Sequence, residues 1–241
     1  MRKSQTVIYA ALAAALLISS CQQFFTTSLA AQLARDPADL MPDVDTGNVD
    51  ELLAQAAGNP EMSLALMDSI IDALDGATGA ELVQLQSAAV TAATGASGLS
   101  EAILASGGDI VAIDFESATA QEEIITIMEE ALGGLNQLAD ASAGLIDIIP
   151  DPVADSAGFD AFVLEADSEQ LAMAAITLLA SSADASAGGT SDYIDNLDPE
   201  NPDPGAETMA VELARAAIEK SQTEGGSGFL TDMLANLNLS I

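Results

Sequence analysis

Asn59-Pro60-Glu61-Met62-Ser63-Leu64-Ala65-Leu66-Met67-Asp68-Ser69-Ile70-Ile71-Asp72-Ala73-Leu74 decides the fold class of this chain. Asparagine can cap a helix, proline fits its first turn, and glutamate complements the positive end of the helix dipole. Leu64, Met67, Ile70, Ile71 and Leu74 then return every three or four residues as one apolar stripe, with Asp68, Asp72 and Asp75 outside it. Residues 76–79 leave room only for a short turn before Leu82, Leu85, Ala89 and Ala92 mark a facing helix. Two helices joined so briefly are antiparallel neighbours. The stretch therefore predicts a helical hairpin.

The same plan extends in both directions. Upstream, residues 49–57 read as a helix stopped by Gly58-Asn59. Downstream, helices are predicted over 96–106, 119–132 and 135–149, with Gly107-Gly108 and Gly133-Gly134 as breaks. Thr119 with Glu122 fits a capping box, and Ile124, Ile127, Met128 and Leu132 give a buried face. Residues 109–115 hold the β-branched Ile110, Val111 and Ile113, but no partner strand is evident, so they read as a loop or short helical turn. After Pro150-Asp151-Pro152, helices are expected over 157–164 and 168–183, the second capped by Ser168 with Leu171, Ala175, Leu178 and Leu179 inward. Residues 184–205, rich in Ser, Gly, Asp and Pro, form the longest unstructured candidate. Helices over 206–220 and 229–239 close the chain, and Arg215 and Lys220 suit the C-terminal end of the first of these. These make roughly five antiparallel pairs at about 30 to 40 residues each, near the period of helical-hairpin repeats. The expected fold is all-α: antiparallel hairpins stacked as an irregular solenoid or bundle, a single domain over 51–241 behind an N-terminal signal helix. Tetratricopeptide landmarks are missing.

Charge narrows the function classes. Thirty-eight acidic residues stand against five Lys and Arg, a net charge of −33, with no histidine. Such a surface repels phosphate backbones, because nucleic-acid affinity rests on Lys and Arg displacing counterions. Nucleic acid is excluded as a partner. Disorder is the usual reading of high charge, yet 49% of the residues are apolar and they arrive periodically, so the chain folds. Acid excess with scarce lysine and few aromatics reads instead as solvation in concentrated salt, where a Debye length of ~3 Å suppresses self-repulsion. A halophilic source is expected.

The first twenty residues read as an address. Met1-Arg2-Lys3 forms a positive n-region, residues 7–18 an apolar h-region, and the small Ser19 and Ser20 precede Cys21, the only cysteine. That is the layout of a secretory signal peptide. The apolar run falls short of the ~20 residues that cross ~30 Å of hydrocarbon. The segment Leu17-Ile18-Ser19-Ser20-Cys21 resembles the lipobox of bacterial lipoproteins, with Ile18 where that family more often has leucine. The resemblance implies cleavage between Ser20 and Cys21, diacylglycerol on the Cys21 thiol, and a further acyl chain such as palmitate on its amine. Two or more chains hold a membrane far more firmly than one. Gln22 after the cysteine, rather than aspartate, implies the outer membrane facing the periplasm. Mature from Cys21, the chain keeps Arg35, Arg215 and Lys220 against all 38 acids, about −35 net, so membrane attachment rests on the lipid. Residues 21–50 then comprise the anchor, a short amphipathic helix over 22–35 with Phe24, Phe25, Leu29 and Leu33, and an acidic linker.

Chemistry is conspicuous for what the residue types omit. Without histidine and with the sole cysteine lipidated, no His-dependent triad, thiolate nucleophile or histidine zinc set is available, so no catalytic residue, cofactor or metal ligand is assigned. The pairs Glu122-Glu123 and Glu129-Glu130 alternate with apolar helical positions and read as a solvated face, not as a glycosidase pair. Asp43-Val44-Asp45-Thr46-Gly47 opens like a calcium loop, but Asn48 and Ala54 stand where that loop needs glycine and glutamate. The acids of 195–203 lack the glycine turn of a known calcium loop. Met62, Met67, Met128, Met173 and Met209 are either an adaptable pocket lining or core filling, and ligand-binding residues stay unassigned. The expected function is a lipid-anchored, non-enzymatic helical scaffold for envelope proteins. The alternative rests on resemblance: a lipobox followed by helical periodicity over about 180 residues is similar in plan to the T-component lipoproteins of TRAP transporters. That resemblance implies hairpins around a channel for a small apolar ligand, working with a periplasmic binding protein.

Overall fold

A computed structural model describes residues 41–105, 123, 126, 135, 137–224 and 228–236, all within one compact unit that begins at Met41. Ten helical segments and no strand occur among them. They are α1 (Val49–Ala56), α2 (Pro60–Leu74), α3 (Ala80–Ser97), α4 (Leu99–Ala105), α5 (Leu138–Ile148), α6 (Ser156–Glu165), α7 (Ser168–Ala185), α8 (Gly189–Asn196), α9 (Ala206–Glu224) and α10 (Phe229–Asn236). Cys21, Ser20, the signal segment, the 22–35 helix, the 109–115 stretch and the Thr119–Glu122 capping box lie outside the described residues. So do both breaks, Gly107-Gly108 and Gly133-Gly134, and all of the 119–132 helix except Glu123 and Thr126, which are helical.

The hairpin that decided the class is present. Asn59 caps α2 by accepting from the Met62 amide at 3.2 Å, with Pro60 in the first turn. Gly95, near the end of α3, lies against Ser63, near the start of α2, so the two run antiparallel. The buried face of α2 is Ser63, Ala65, Leu66, Met67 and Ile70, whereas Leu64, Ile71 and Leu74 are only half-buried. The stripe read from the largest residues is therefore rotated, because Ser63 marks where α3 approaches closely, at Gly95, so that a small side chain fills the contact. The second helix also runs further than expected, to Ser97, and breaks at Gly98, whose φ of 72° reverses the chain into α4.

Two eighteen-residue helices organise the core. Helix α3 packs on α1, α2, α4, α5, α6 and α7; helix α7 packs on α3, α5, α8, α9 and α10. Each is buried on most of its circumference, α3 through Leu85, Ala88, Ala89, Val90, Ala92, Ala93 and Ala96, α7 through Leu171, Ala172, Ala174, Ala175, Ile176, Leu178 and Ala180. A helix apolar all round belongs inside. A solenoid unit touches only its neighbours in sequence, but here α9 also reaches α5 and a single apolar cluster runs from Val49 to Leu234. The architecture is an all-α bundle.

Three boundaries move for local reasons. Asp167, not Ser168, caps α7: it accepts from the Gln170 amide at 2.7 Å while the Gln170 side chain accepts from the Asp167 amide, a reciprocal capping box. Residues 184–205 are not unstructured, since α7 continues to Ala185 and α8 forms over Gly189–Asn196, anchored by buried Thr190 and Ile194. Helix α9 continues a turn past Lys220 to Glu224, so that lysine does not serve its own helix end. Its ammonium donates instead to the carbonyl oxygens of Val163 (3.1 Å), Leu164 (2.8 Å) and Ala166, closing the C-terminus of α6. Arg215 likewise reaches out, donating to the Pro199 carbonyl and pairing with Glu212 at 2.6 Å. Among the described residues no helix is long and apolar enough to cross a membrane.

Candidate functional site

Helices α1, α3, α6 and the start of α7 enclose an open groove of about 680 Å³. Its apolar surface comes from Leu53, Val83, Ala88 and Leu164, and two carboxylates, Asp50 from α1 and Glu165 from α6, stand in its walls. Leu164 is 75% exposed. On α6 the chain buries Phe159 and Phe162, three residues apart, and Leu164 falls off that stripe, so the helix cannot bury all three toward one neighbour. The Lys220 contact then fixes the end of α6 on which Leu164 and Glu165 sit.

One wall is held by a hydrogen-bonded network. Gln170 Oε1 accepts from the Ser87 hydroxyl at 3.0 Å, and its Nε2 donates to Thr91 Oγ1 at 3.2 Å, so the α7 capping box is tied to α3. Gln84 makes a longer donation, 3.4 Å to the Thr46 carbonyl, bringing the incoming chain to the opposite end of this surface. Ser87, Thr91 and Gln170 on this wall are thus held by one another.

A second cleft, about 420 Å³, gathers Asp192, Asp198, Asp203 and Glu207 around Tyr193. The phenol donates to Glu207 Oε2 at 3.2 Å; its burial, and then the neighbouring Glu207 carboxylate, hold its pKa far above the ordinary tyrosine value. Asp198 accepts from the Glu200 amide at 3.0 Å and from Asn201 Nδ2 at 3.2 Å, while Glu207 accepts from the Asp203 amide at 3.3 Å. These carboxylates are engaged in shaping the loop. Among the described residues no three His, Cys, Asp or Glu side chains gather to hold a metal ion. Asp45 shows the same use in the 43–47 segment, accepting from the Gly47 and Asn48 amides at 2.8 and 3.0 Å just before α1.

The methionines divide. Met67 and Met209 are buried in the core, and Met62 and Met173 pack against it half-buried; none lines either cleft. Met128 lies outside the described residues, as do the Glu122 and Glu129-Glu130 carboxylates, while Glu123 is exposed. The groove itself was not anticipated from sequence, although the large apolar residue lying off the Phe159–Phe162 stripe was its available signal. No protein-family model, curated protein or solved structure matches the chain.

Proposed function

We propose that this chain is a lipid-anchored, non-enzymatic envelope protein of a halophilic bacterium whose helical domain is a scaffold for protein partners. The observation that carries this reading is the form of the clefts: the groove under α1, α3 and α6 is open and mixed in polarity, as a protein-docking surface is, and is not a closed apolar chamber of the kind a hydrophobic solute requires. The lipobox-like Leu17–Cys21 segment and the scarcity of cations, which leaves the lipid to supply membrane attachment, support the anchor.

Fractionation tests the anchor. The full chain expressed in a Gram-negative host is expected in the membrane fraction, and Cys21→Ala is expected to move it to the soluble fraction. Retention of the Cys21→Ala protein in the membrane would instead assign the attachment to an uncleaved apolar segment and remove the lipoprotein reading.

A further inference from the structure

Helix α3 lines the groove from Ala80 to Thr91, eleven steps of 1.5 Å or about 16 Å, which matches roughly three turns of a facing helix. Along that length the available contacts alternate in kind. Leu53, Val83 and Leu164 offer apolar contact, Gly79 and Ala80 keep one end low, and Asp50 and Glu165 place carboxylates in the α1 and α6 walls. Leu164, at 75% exposure, presents an unburied aliphatic side chain to whatever enters. An acidic occupant would set its carboxylates against Asp50 and Glu165 at contact range, where salt screens least, and a second copy of this chain, with 38 acidic residues against five Lys and Arg, has few cations to offer those walls. The complementary occupant is apolar along one face and basic beside it.

We propose, resting on the scaffold reading, that this groove receives an amphipathic helix of a partner protein, with aliphatic residues at i, i+4 and i+7 against Leu53, Val83 and Leu164 and lysine or arginine flanking them toward Asp50 and Glu165. The Gln170 network and the Lys220 cap hold the α7 and α6 walls in place before the partner arrives, so little ordering accompanies binding. The wall charges select the partner's sign and orientation, and the apolar contacts supply affinity that survives concentrated salt, where charge attraction is screened.

The test uses the full-length protein in detergent over a salt series from roughly 0.2 M to molar, with three labelled fourteen-residue peptides: one with leucines on one face and lysines beside them, its Lys→Glu counterpart, and a scramble of the first. At the low end of the series fluorescence anisotropy is expected to show binding of the first peptide alone, weakened about tenfold by Leu164→Asp and unaffected by Val153→Asp, a control at an equally exposed position; toward molar salt the Lys→Glu peptide is expected to approach the first, and the scramble to stay unbound. Asp50→Asn with Glu165→Gln is expected to weaken binding further as salt is lowered, where the wild-type groove gains most. Equal binding of the scramble at any salt, equal binding of the Lys→Glu peptide at the low end of the series, or indifference to Leu164→Asp, overturns the proposal. Sedimentation showing a dimer abolished by Leu164→Asp also overturns it, assigning the groove to a second copy. A photoreactive residue at position 164, compared with ones at 153 and 201 in native membranes, separates the two readings. Partner crosslinks from 153 or 201 but not 164 leave the scaffold standing and remove this groove, whereas a basic amphipathic segment captured from 164 supports both. No protein captured from any position removes the scaffold and the groove together.

Discussion

The α2, α3 and α5 region and the α6, α7 and α9 region solve one problem by different means. Both must lock helices together in a chain with almost no cations for ion pairs. In the first, contact is made by near-absence of side chain: a Cβ on Gly95 would stand 2.9 Å from Ser63 Oγ, and one on Gly144 would run into the thioether of Met67, so α3 and α5 approach α2 closely. In the second, both described cations are used on backbone carbonyls, Lys220 at the end of α6 and Arg215 on the loop before α9. The difference teaches where a cation is retained when composition selects against it. At the surface a lysine contributes little in strong salt, but a half-buried ammonium serving several carbonyls replaces water those carbonyls would otherwise lack.

Lys220→Met should break the second region most severely. The methionine keeps the aliphatic stem packed and deletes only the donors, so the change isolates the carbonyl contacts. Thermal or urea unfolding is expected to show a loss of about 3 kcal/mol, since hydrogen bonds to charged groups contribute ~1.5–3 kcal/mol and the vacated carbonyls regain some water. A loss below about 0.5 kcal/mol would show that α6 ends as well without its lysine, and the contrast between the regions would collapse. Gly95→Val tests the first region at smaller scale. Added methyls meet Ser63 across a contact with no flexible tail to yield, so about 2 kcal/mol of destabilisation is expected, against a small propensity change alone. If unfolding midpoints stay unchanged, the α2–α3 contact is looser than its geometry implies.

The first region was largely legible in the sequence and the second was not, for reasons visible in single residues. Asn59-Pro60 announces a helix start without help from tertiary structure, because both residues act on their own backbone. The face of α2 was misjudged because Ser63 is inward only by virtue of Gly95 on another helix. Helices α3 and α7 looked amphipathic when their large residues were followed, yet the alanines between them are equally buried, and alanine carries no periodic signal of its own. Two adjacent residues, Asp167 and Ser168, were each able to cap α7, and Gln170 decides between them by completing a box only with the aspartate. Helix α8 was hidden by Gly189, Thr190, Ser191 and Asp192, weak helix formers held helical by the burial of Thr190 and Ile194. The targets of Lys220 lie more than fifty positions away along the chain, and no local pattern encodes them. The candidate groove shares this fate, being assembled from four helices.

The smallest effect sharpens the comparison by asking what uncompensated acid does in the region without cations. Asp68 on α2 has its carboxyl pKa raised, first by partial burial and then by the carboxylates of Asp72, one turn along, and Asp140 on the neighbouring segment. A carboxyl whose pKa is higher in the folded state than in the unfolded chain binds protons more tightly when folded. Stability from this group is therefore fullest when it is protonated and falls as pH rises through the interval from the ordinary value of 3.8 upward, the reverse of a salt-bridged aspartate. Asp68→Asn is expected to raise stability at neutral pH by about 0.3 kcal/mol in low salt, the size of a like-charge pair one helical turn apart. Molar salt, where the Debye length is ~3 Å, should remove only the part of the gain due to Asp72 and Asp140 and leave the part due to burial, whereas below pH 3.8, where wild-type Asp68 is itself neutral, the whole gain should be lost. A gain lost entirely in molar salt would assign the raised pKa to the neighbouring carboxylates instead of to burial, and no gain in low salt would mean that α2 tolerates this acid without cost.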